Sequence, residues 1–127
     1  MGKNWGLHHI CLVVKDLDKA VKYYQSLGIV TKTKPVSEHP SLNFQFVYIS
    51  GTPIEFVQPL QENSFKKLLH DRGEGMHHLC FEVDDLAKET AKLEKKGVKV
   101  LGKNEIETNF DTREVGNCIL EVIRHDQ

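Results

Sequence analysis

The sequence predicts an α+β protein built from two tandem copies of one β-α-β-β-β module. Two internal repeats support this prediction: HICLVVKDL at residues 9–17 returns as HLCFEVDDL at residues 78–86, and PIEFV at residues 53–57 resembles ILEVI at residues 119–123. Each copy of such a repeat is expected to form one structural unit. In each half an apolar run of strand length precedes an aspartate, and apolar residues at helical spacing follow it, which gives the order strand, then helix.

The first module is predicted over about residues 7–60. Its opening apolar run, from Leu7 to Val14, has the length of a strand and is rich in β-branched residues. Asp16 is expected to cap a helix that ends at Gly28, a residue suited to a left-handed backbone. The remaining predicted elements are a strand at Ile29–Lys34, a loop at Pro35–Pro40, and two antiparallel strands at Asn43–Ile49 and Pro53–Gln58.

A connecting helix is predicted over about residues 64–71, capped by Ser64 and burying Phe65, Leu68 and Leu69. The second module, over about residues 76–124, repeats the order of the first. Its predicted elements are a strand at His77–Val83, a helix from Asp85 to Gly97, a strand at Val98–Leu101, and two strands at Ile106–Val115 and Cys118–Arg124 around a tight Gly116-Asn117 turn. No long linker separates the modules, so a single domain over residues 1–127 is expected.

Composition and charge exclude several classes of partner. The net charge of −1 and the pI near 6.6 give no basic surface for nucleic acid. No apolar run approaches the length that crosses a membrane, and the first residues carry no secretory signal, so a cytoplasmic protein is expected. The three cysteines fit a reducing compartment, and Cys11 and Cys80 are expected to be small buried residues. Exposed sheet edges on small modules favour a homodimer.

Each module places one histidine early and one glutamate late inside an apolar run, where charge is normally avoided. The four residues are His9, Glu55, His78 and Glu121. Taken singly, a strand histidine is more often a hydrogen-bonded core residue, and a strand glutamate more often faces solvent. One pseudo-symmetry nevertheless relates all four, and a carboxylate among apolar neighbours is costly unless it is paired or binds a cation. A divalent-metal site is therefore predicted, with His8 and His77 on the opposite strand faces, at the surface or behind the ligands.

These residues lie in segments that resemble the vicinal oxygen chelate superfamily, whose members include glyoxalase I, methylmalonyl-CoA epimerases, extradiol dioxygenases and bleomycin-binding proteins. The similarity covers nearly the whole chain. It is most specific in LHHI at residues 7–10, KDLDKA at residues 15–20 and RGEGMHHLCFEVDD at residues 72–85, the last of which looks particularly like methylmalonyl-CoA epimerases. The resemblance implies a glyoxalase-like fold, in which two modules form one curled, cup-shaped mixed sheet around a metal.

The resemblance also implies a ligand set, because His9, Glu55, His78 and Glu121 fall on the four metal-ligand positions of the family. Imidazole and carboxylate ligands suit nickel, cobalt, manganese or zinc, and the order of affinities does not choose among them. Four protein ligands in an octahedral site leave two places for substrate oxygens. There the metal would act as a Lewis acid toward the substrate.

The implied chemistry is removal of the proton next to a carbonyl group, with the metal stabilising the resulting enolate. Glu38 falls on the position of a glutamate proposed as a base in the epimerases, and Glu121 is expected to serve as both ligand and second acid/base. Without the resemblance, Glu38 would be interpreted as a solvated loop residue. Two bases suit inversion, since the proton leaves one face of the carbon and returns on the other.

Three functions follow from the resemblance. The first is a metal-dependent epimerase like methylmalonyl-CoA epimerase, with an acyl-CoA as its small-molecule substrate. The segment 109–117 is shorter than in the epimerases and lacks their His-Pro-Lys-type turn associated with acyl-CoA. The alternative is therefore an isomerase like glyoxalase I (lactoylglutathione lyase), acting on a thiol hemithioacetal adduct. The third is a non-enzymatic drug- or small-molecule-binding protein of the same fold, against which the intact ligand set counts.

Overall fold

The computed structural model describes residues 5–125 and contains nine strands and three helices within them. The described chain divides into two compact units. The first unit spans His9–His77, and the second comprises residues 5–8 together with residues 78–125. Within residues 5–125, no helix combines the length and the apolar character that crossing a membrane requires.

The first unit contains the elements of the first module. They are β1 (Gly6–Val13, in this unit from His9), α1 (Leu17–Ser26), β2 (Val30–Thr33), β3 (Ser37–Glu38), β4 (Leu42–Ile49), β5 (Thr52–Pro59) and α2 (Ser64–Arg72). β5 pairs in parallel with β1 and antiparallel with β4, to which it is joined by a two-residue turn at Ser50 and Gly51. β2 and β3 both pair antiparallel with the other edge of β4.

The second unit repeats this arrangement, with its last two strands shorter than β4 and β5. Its elements are β6 (Gly75–Val83, in this unit from His78), α3 (Leu86–Lys95), β7 (Val100–Lys103), β8 (Glu107–Phe110) and β9 (Ile119–Arg124). β9 pairs in parallel with β6 and antiparallel with β8, and β7 pairs antiparallel with β8. The last strand of each unit therefore lies beside its first strand. The predicted α+β class and the tandem module order are confirmed.

The predicted helix limits in both modules are confirmed by their capping contacts. The Asp16 carboxylate accepts a hydrogen bond from the Lys19 amide at 3.1 Å, and Asp85 accepts one from Lys88 at the same distance. Each aspartate thereby satisfies one of the amides that a helix start leaves without a partner in the helix. Gly28 and Gly97 follow the helices at φ 75° and 92°, a backbone conformation that a side chain disfavours, and the helical hydrogen bonding ends there.

The core of each unit lies between its helix and one face of its strands. In the first unit, Leu17 and Val21 of α1 pack against Val47 and Phe56 of β4 and β5. In the second unit, Leu86 of α3 belongs to a cluster with three buried residues of β6, β8 and β9, which are Val83, Phe110 and Val122. Burial of each such side chain contributes about 1.5–3 kcal/mol. Alternate strand residues point to opposite faces, so the residues between these core positions lie on the other face of the strands, where a functional site can form.

The connecting helix differs from the prediction in two respects. Its N-cap is Asn63, whose side-chain oxygen accepts the Lys66 amide at 2.9 Å, so the predicted cap Ser64 is wrong. Asn63 has the extended backbone that a capping residue requires. The helix also buries less than predicted, because its three large apolar residues are only half-buried; they are Phe65, Leu68 and Leu69.

The end of the second module is also organised differently. β8 ends at Phe110, so the predicted strand at Ile106–Val115 is too long. Gly116 and Asn117 do lie in a turn, with φ of 78° and 60°, but this turn does not join β8 directly to β9 as a tight hairpin would. After Phe110, hydrogen bonds within the segment replace pairing with a neighbouring strand. The Val115 amide donates to the Thr112 carbonyl at 3.2 Å, and the Asn117 amide donates to the Arg113 carbonyl at 3.1 Å. The second module is also shorter than the first between its second and third strands. Only residues 104–106 join β7 to β8, and this described segment contains no counterpart of β3.

Candidate functional site

In the first unit, His9 and Glu55 form a close pair on adjacent parallel strands. The His9 Nε2 atom lies 3.3 Å from the Glu55 Oε1 atom, with side-chain exposures of 8% and 16%. The pairing register places Glu55 opposite Cys11, so its side chain is on the strand face of His9 and Cys11. That face is opposite the one that packs against α1. Strand alternation alone therefore accounts for the position of both polar groups away from the apolar core.

The second unit contains the equivalent pair with nearly the same geometry. The His78 Nε2 atom lies 3.4 Å from the Glu121 Oε1 atom, and the side-chain exposures are 7% and 17%. Glu121 is opposite Cys80 in the parallel register of β6 and β9. Cys80, like Cys11 of the first unit, is fully buried, which confirms the predicted role of both cysteines as small buried residues. The sequence repeat thus reproduces one imidazole–carboxylate pair in each unit.

The chemistry and spacing of each pair fit a divalent cation. Neighbouring ligands that each lie about 2.0–2.2 Å from one ion at a right angle are roughly 3 Å apart, close to the separations within both pairs. Imidazole nitrogen and carboxylate oxygen are ligands that first-row divalent metals accept. The low exposure of the pairs also suits such a role, because a bound cation offsets the cost of burying a carboxylate. Each unit accordingly offers two ligands of the predicted set.

Aromatic residues of β4 cover the same face of the first unit. Phe46 is opposite Glu55 in the antiparallel register, and its ring meets the His9 ring edge-on at a centroid distance of 5.2 Å. Phe44 lies next to Phe46 at 6.1 Å, and the His39 ring stacks on Phe44 at 5.6 Å with an interplanar angle of 5°. The sequence prediction did not include this row of rings. Its signal was present in the alternating pattern of β4, where Phe44, Phe46 and Tyr48 occupy every second position.

The predicted base, Glu38, lies in β3 and not in a continuous loop, so the predicted loop at residues 35–40 is corrected. β3 pairs antiparallel with β4, with Ser37 opposite Phe44 and Glu38 opposite Asn43. Directly opposite residues share a face, so Ser37 is on the face of Phe44 and Glu38 is on the reverse face. The Glu38 side chain is exposed. In this conformation, β3 therefore does not bring Glu38 to the His9–Glu55 pair.

The histidine that precedes His78 is not a surface residue. His77 is buried in the first unit, where its ring stacks on Phe65 at 4.2 Å and its Nε2 atom lies 3.4 Å from the Ser64 hydroxyl oxygen. Both partners belong to the first turn of α2. His77 therefore connects the connecting helix to the strand that follows it. Of the two positions predicted for His77, at the surface or behind the ligands, the surface position is wrong. Its burial depends on a contact that strand alternation alone does not reveal.

The family model and the most similar known proteins point to one family. The family model of the Glyoxalase/Bleomycin resistance protein/Dioxygenase superfamily matches residues 8–116. The mitochondrial methylmalonyl-CoA epimerase of Homo sapiens is 31% identical over 109 residues, which cover 80% of this chain and 61% of that protein. The chain thus spans less than two thirds of the length of that relative. The ethylmalonyl-CoA/methylmalonyl-CoA epimerase of Cereibacter sphaeroides is 30% identical over 102 residues, covering 78% of this chain and 76% of that protein.

A solved structure shares the fold over almost the full chain. The methylmalonyl-CoA epimerase from Mycobacterium tuberculosis superposes with a TM-score of 0.78 at 22% identity, covering 94% of this chain and 87% of that one. At this level of identity, the likeness concerns the fold alone. It confirms the predicted glyoxalase-like fold class.

Proposed function

Because the chain belongs to the glyoxalase/bleomycin resistance/dioxygenase superfamily, we propose that it is a metal-dependent epimerase acting on an acyl-CoA, in the manner of methylmalonyl-CoA epimerase. The epimerase names of the relatives at about 30% identity support the reaction class. The observation that carries the proposal is the repeated imidazole–carboxylate pair, with separations of 3.3 and 3.4 Å. A repeat that preserved only the fold would not need to preserve two partly buried pairs of metal-binding groups.

The proposed metal site consists of His9, Glu55, His78 and Glu121, which together would hold one divalent ion of nickel, cobalt, manganese or zinc. When bound, such an ion supplies a Lewis acid that stabilises negative charge developing on a carbonyl oxygen of the substrate. The protein groups supply the rest of the site. The aromatic rings of Phe44 and Phe46 lie beside the His9–Glu55 pair and would limit the access of water to the reacting carbon.

The proposed proton transfers use Glu38 and Glu121. One carboxylate removes the proton from the α-carbon of the thioester, and the other group, in its protonated form, returns a proton to the opposite face, which inverts the centre. For Glu38, the proposal requires edge strand β3 to present its carboxylate to the substrate, because the described register directs Glu38 away from Phe44. β3 has only two residues, so few ladder bonds oppose such a change.

The test is incorporation of deuterium from heavy water into the α-position of methylmalonyl-CoA by metal-reconstituted protein. Exchange that disappears after chelation and returns with one of the four metals is the expected result. A parallel assay with a thiol hemithioacetal separates the glyoxalase I-like alternative, since that substrate would be converted in place of the acyl-CoA. A protein that contains no metal and promotes no exchange would instead match the non-enzymatic binding class.

The homodimer remains part of the proposal. Sedimentation velocity measured at several protein concentrations, with and without metal, tests the homodimer. A species of one chain mass throughout that range would contradict the expected pairing of subunits.

A further inference from the structure

The strand next to the imidazole–carboxylate pair of the second unit carries polar side chains on the same face. β8 places Asn109 directly opposite Glu121, and it places Glu107 opposite Ile123. Directly opposite residues share a face, so both β8 side chains are on the face of Glu121. The next β8 residue, Phe110, supports this assignment, because it is fully buried in the core of the unit, on the reverse face.

The equivalent positions of the first unit are aromatic. There, β4 places Phe46 opposite Glu55, and Phe44 lies two residues earlier on the same face. In the second unit an amide and a carboxylate occupy the matching positions, Asn109 and Glu107. The repeat therefore preserves the metal-binding pair but changes the groups that a substrate beside that pair would meet.

Asn109 and Glu107 form a hydrogen-bonded pair, and both side chains are half-buried. The Asn109 Nδ2 atom donates to the Glu107 Oε2 atom at 3.0 Å. The Asn104 side-chain oxygen accepts the Glu107 backbone amide at 3.0 Å, which fixes the start of β8. The partner of the Glu107 carboxylate is thus a neutral amide, which orients the carboxylate without balancing its charge.

We propose that Glu107 and Asn109, which we call the specificity wall, select acyl groups with a hydroxyl on the reacting carbon over acyl groups with a carboxylate there. This inference rests on the proposed function, because it identifies the acyl class that the same site accepts. Glu107 is a diagonal neighbour of Glu121, and such neighbours are about 7–8 Å apart, within reach of long side chains. A substrate held at Glu121 therefore lies close enough to meet the Glu107 carboxylate.

Charge decides between the two substituents. A divalent ion would balance the charges of its two carboxylate ligands, Glu55 and Glu121, so the charge of Glu107 would remain in excess. Two like charges roughly 6 Å apart, at an effective dielectric constant of about 20, repel by an energy worth roughly 100-fold in affinity. A hydroxyl instead donates a charge-assisted hydrogen bond to the Glu107 carboxylate, and the Asn109 amide oxygen is a second acceptor beside it.

The test compares two thioesters that differ in one substituent. Methylmalonyl-CoA and lactoyl-CoA both carry a proton and a methyl group on the α-carbon, and they differ in having a carboxylate or a hydroxyl there. Deuterium exchange gives kcat/KM for each substrate with metal-reconstituted wild type, Glu107→Gln and Asn109→Leu. The ratio of the two values within one variant does not depend on its active fraction or metal content. Glu105→Gln is the matched control, because Glu105 is an exposed glutamate in the segment just before β8.

The wild type is expected to prefer lactoyl-CoA, with methylmalonyl-CoA as a slower substrate. Glu107→Gln is expected to reduce this preference at least about tenfold, because it removes the charge and keeps the size of the side chain. Asn109→Leu is expected to reduce it about threefold, since the carboxylate loses the amide that orients it, and the control is expected to match the wild type. A wild-type preference for methylmalonyl-CoA overturns the inference, and so does an equal ratio in the wild type and Glu107→Gln. Circular dichroism checks that each variant is folded.

Calorimetric binding of both thioesters to the same metal-loaded variants separates this inference from the proposed function. If the α-proton exchanges but neither the kcat/KM ratio nor the affinity ratio depends on Glu107, the epimerase stands and the specificity wall is wrong. If the affinity ratio depends on Glu107 but no exchange occurs with any metal, the specificity wall stands and the epimerase is wrong.

Discussion

Replacing Glu55 with alanine is expected to weaken divalent-metal binding at least about 100-fold, and replacing Glu121 is expected to weaken it by about the same factor. The two carboxylates have matching surroundings: their oxygens lie 3.3 and 3.4 Å from the partner imidazole, and their side chains are 16% and 17% exposed. Loss of an outer partner of a metal ligand typically costs 10–100-fold in affinity. Loss of a direct ligand is expected to exceed that range, which corresponds to at least about 2.7 kcal/mol.

The number of ions per chain distinguishes one shared site from two separate ones. Calorimetric titration with nickel or zinc, together with metal analysis after dialysis, is expected to give one ion per chain for the wild type. If the two pairs share that ion, either variant loses tight binding completely. Glu62→Ala serves as the control, because Glu62 is an exposed carboxylate in the segment between β5 and α2.

Retention of one tightly bound ion in both single variants would refute the shared site, since each remaining pair would then bind metal by itself. Both variants are expected to stay folded without metal. The cores around Phe56 and Phe110 are formed by apolar contacts that do not involve the proposed ligands. Urea unfolding in the presence of a chelator tests this expectation, and unfolding of either variant at room temperature would contradict it.

Three further predictions concern single side chains. Glu38→Gln is expected to keep the metal content while lowering the rate of deuterium exchange about 10²–10⁴-fold, and an undiminished rate would leave Glu121 as the base. Thr90→Val is expected to lower the free energy of unfolding in urea by about 1–3 kcal/mol, because the buried Thr108 hydroxyl, which lies 2.9 Å from the Thr90 hydroxyl, loses its partner. Adding Thr108→Val should restore much of that free energy. Hydrogen bonds from Arg113 lower the pKa of Asp111 from 3.8 to about 2. The ionised Asp111 carboxylate therefore stabilises the folded state above pH 4, and this contribution is lost as the pH falls through 2. Asp111→Asn should be less stable than the wild type at pH 5 but not at pH 2.

The parts of the fold that the sequence predicted correctly depend on local signals. Asp16 and Asp85 cap helices because a short carboxylate next to an apolar stripe reaches the amide three residues later, and this geometry lies within one turn. Although the parallel pairing of β1 with β5 was not predicted, the order of strands and helix in each module follows from the repeat and from the spacing of its apolar residues. The close approach of His9 to Glu55, and of His78 to Glu121, was likewise implied by equivalent positions in two copies of one module.

The incorrect element assignments involve choices that neighbouring residues do not decide. Asn63 and Ser64 are both favourable caps, and the helix uses Asn63 because that residue has the extended backbone in the folded chain. The segment 111–118 carries turn residues at its end, yet the turn bonds begin at Thr112 and shorten the strand before them. His77 is buried because α2 returns to cover it, and such a contact depends on the path of a whole helix.

Glu38 and His39 illustrate the same limit at the proposed site. The sequence places an acid and an imidazole next to each other, and in a strand two neighbours necessarily face opposite ways. Which of the two faces the substrate depends on the register of β3 against β4, and a shift of one residue would exchange their roles. In the described register His39 stacks on Phe44 and Glu38 lies opposite Asn43. Deuterium exchange by Glu38→Gln therefore tests whether β3 keeps this register during catalysis, because a rate that depends on Glu38 requires its carboxylate to reach the face that carries His9 and Glu55.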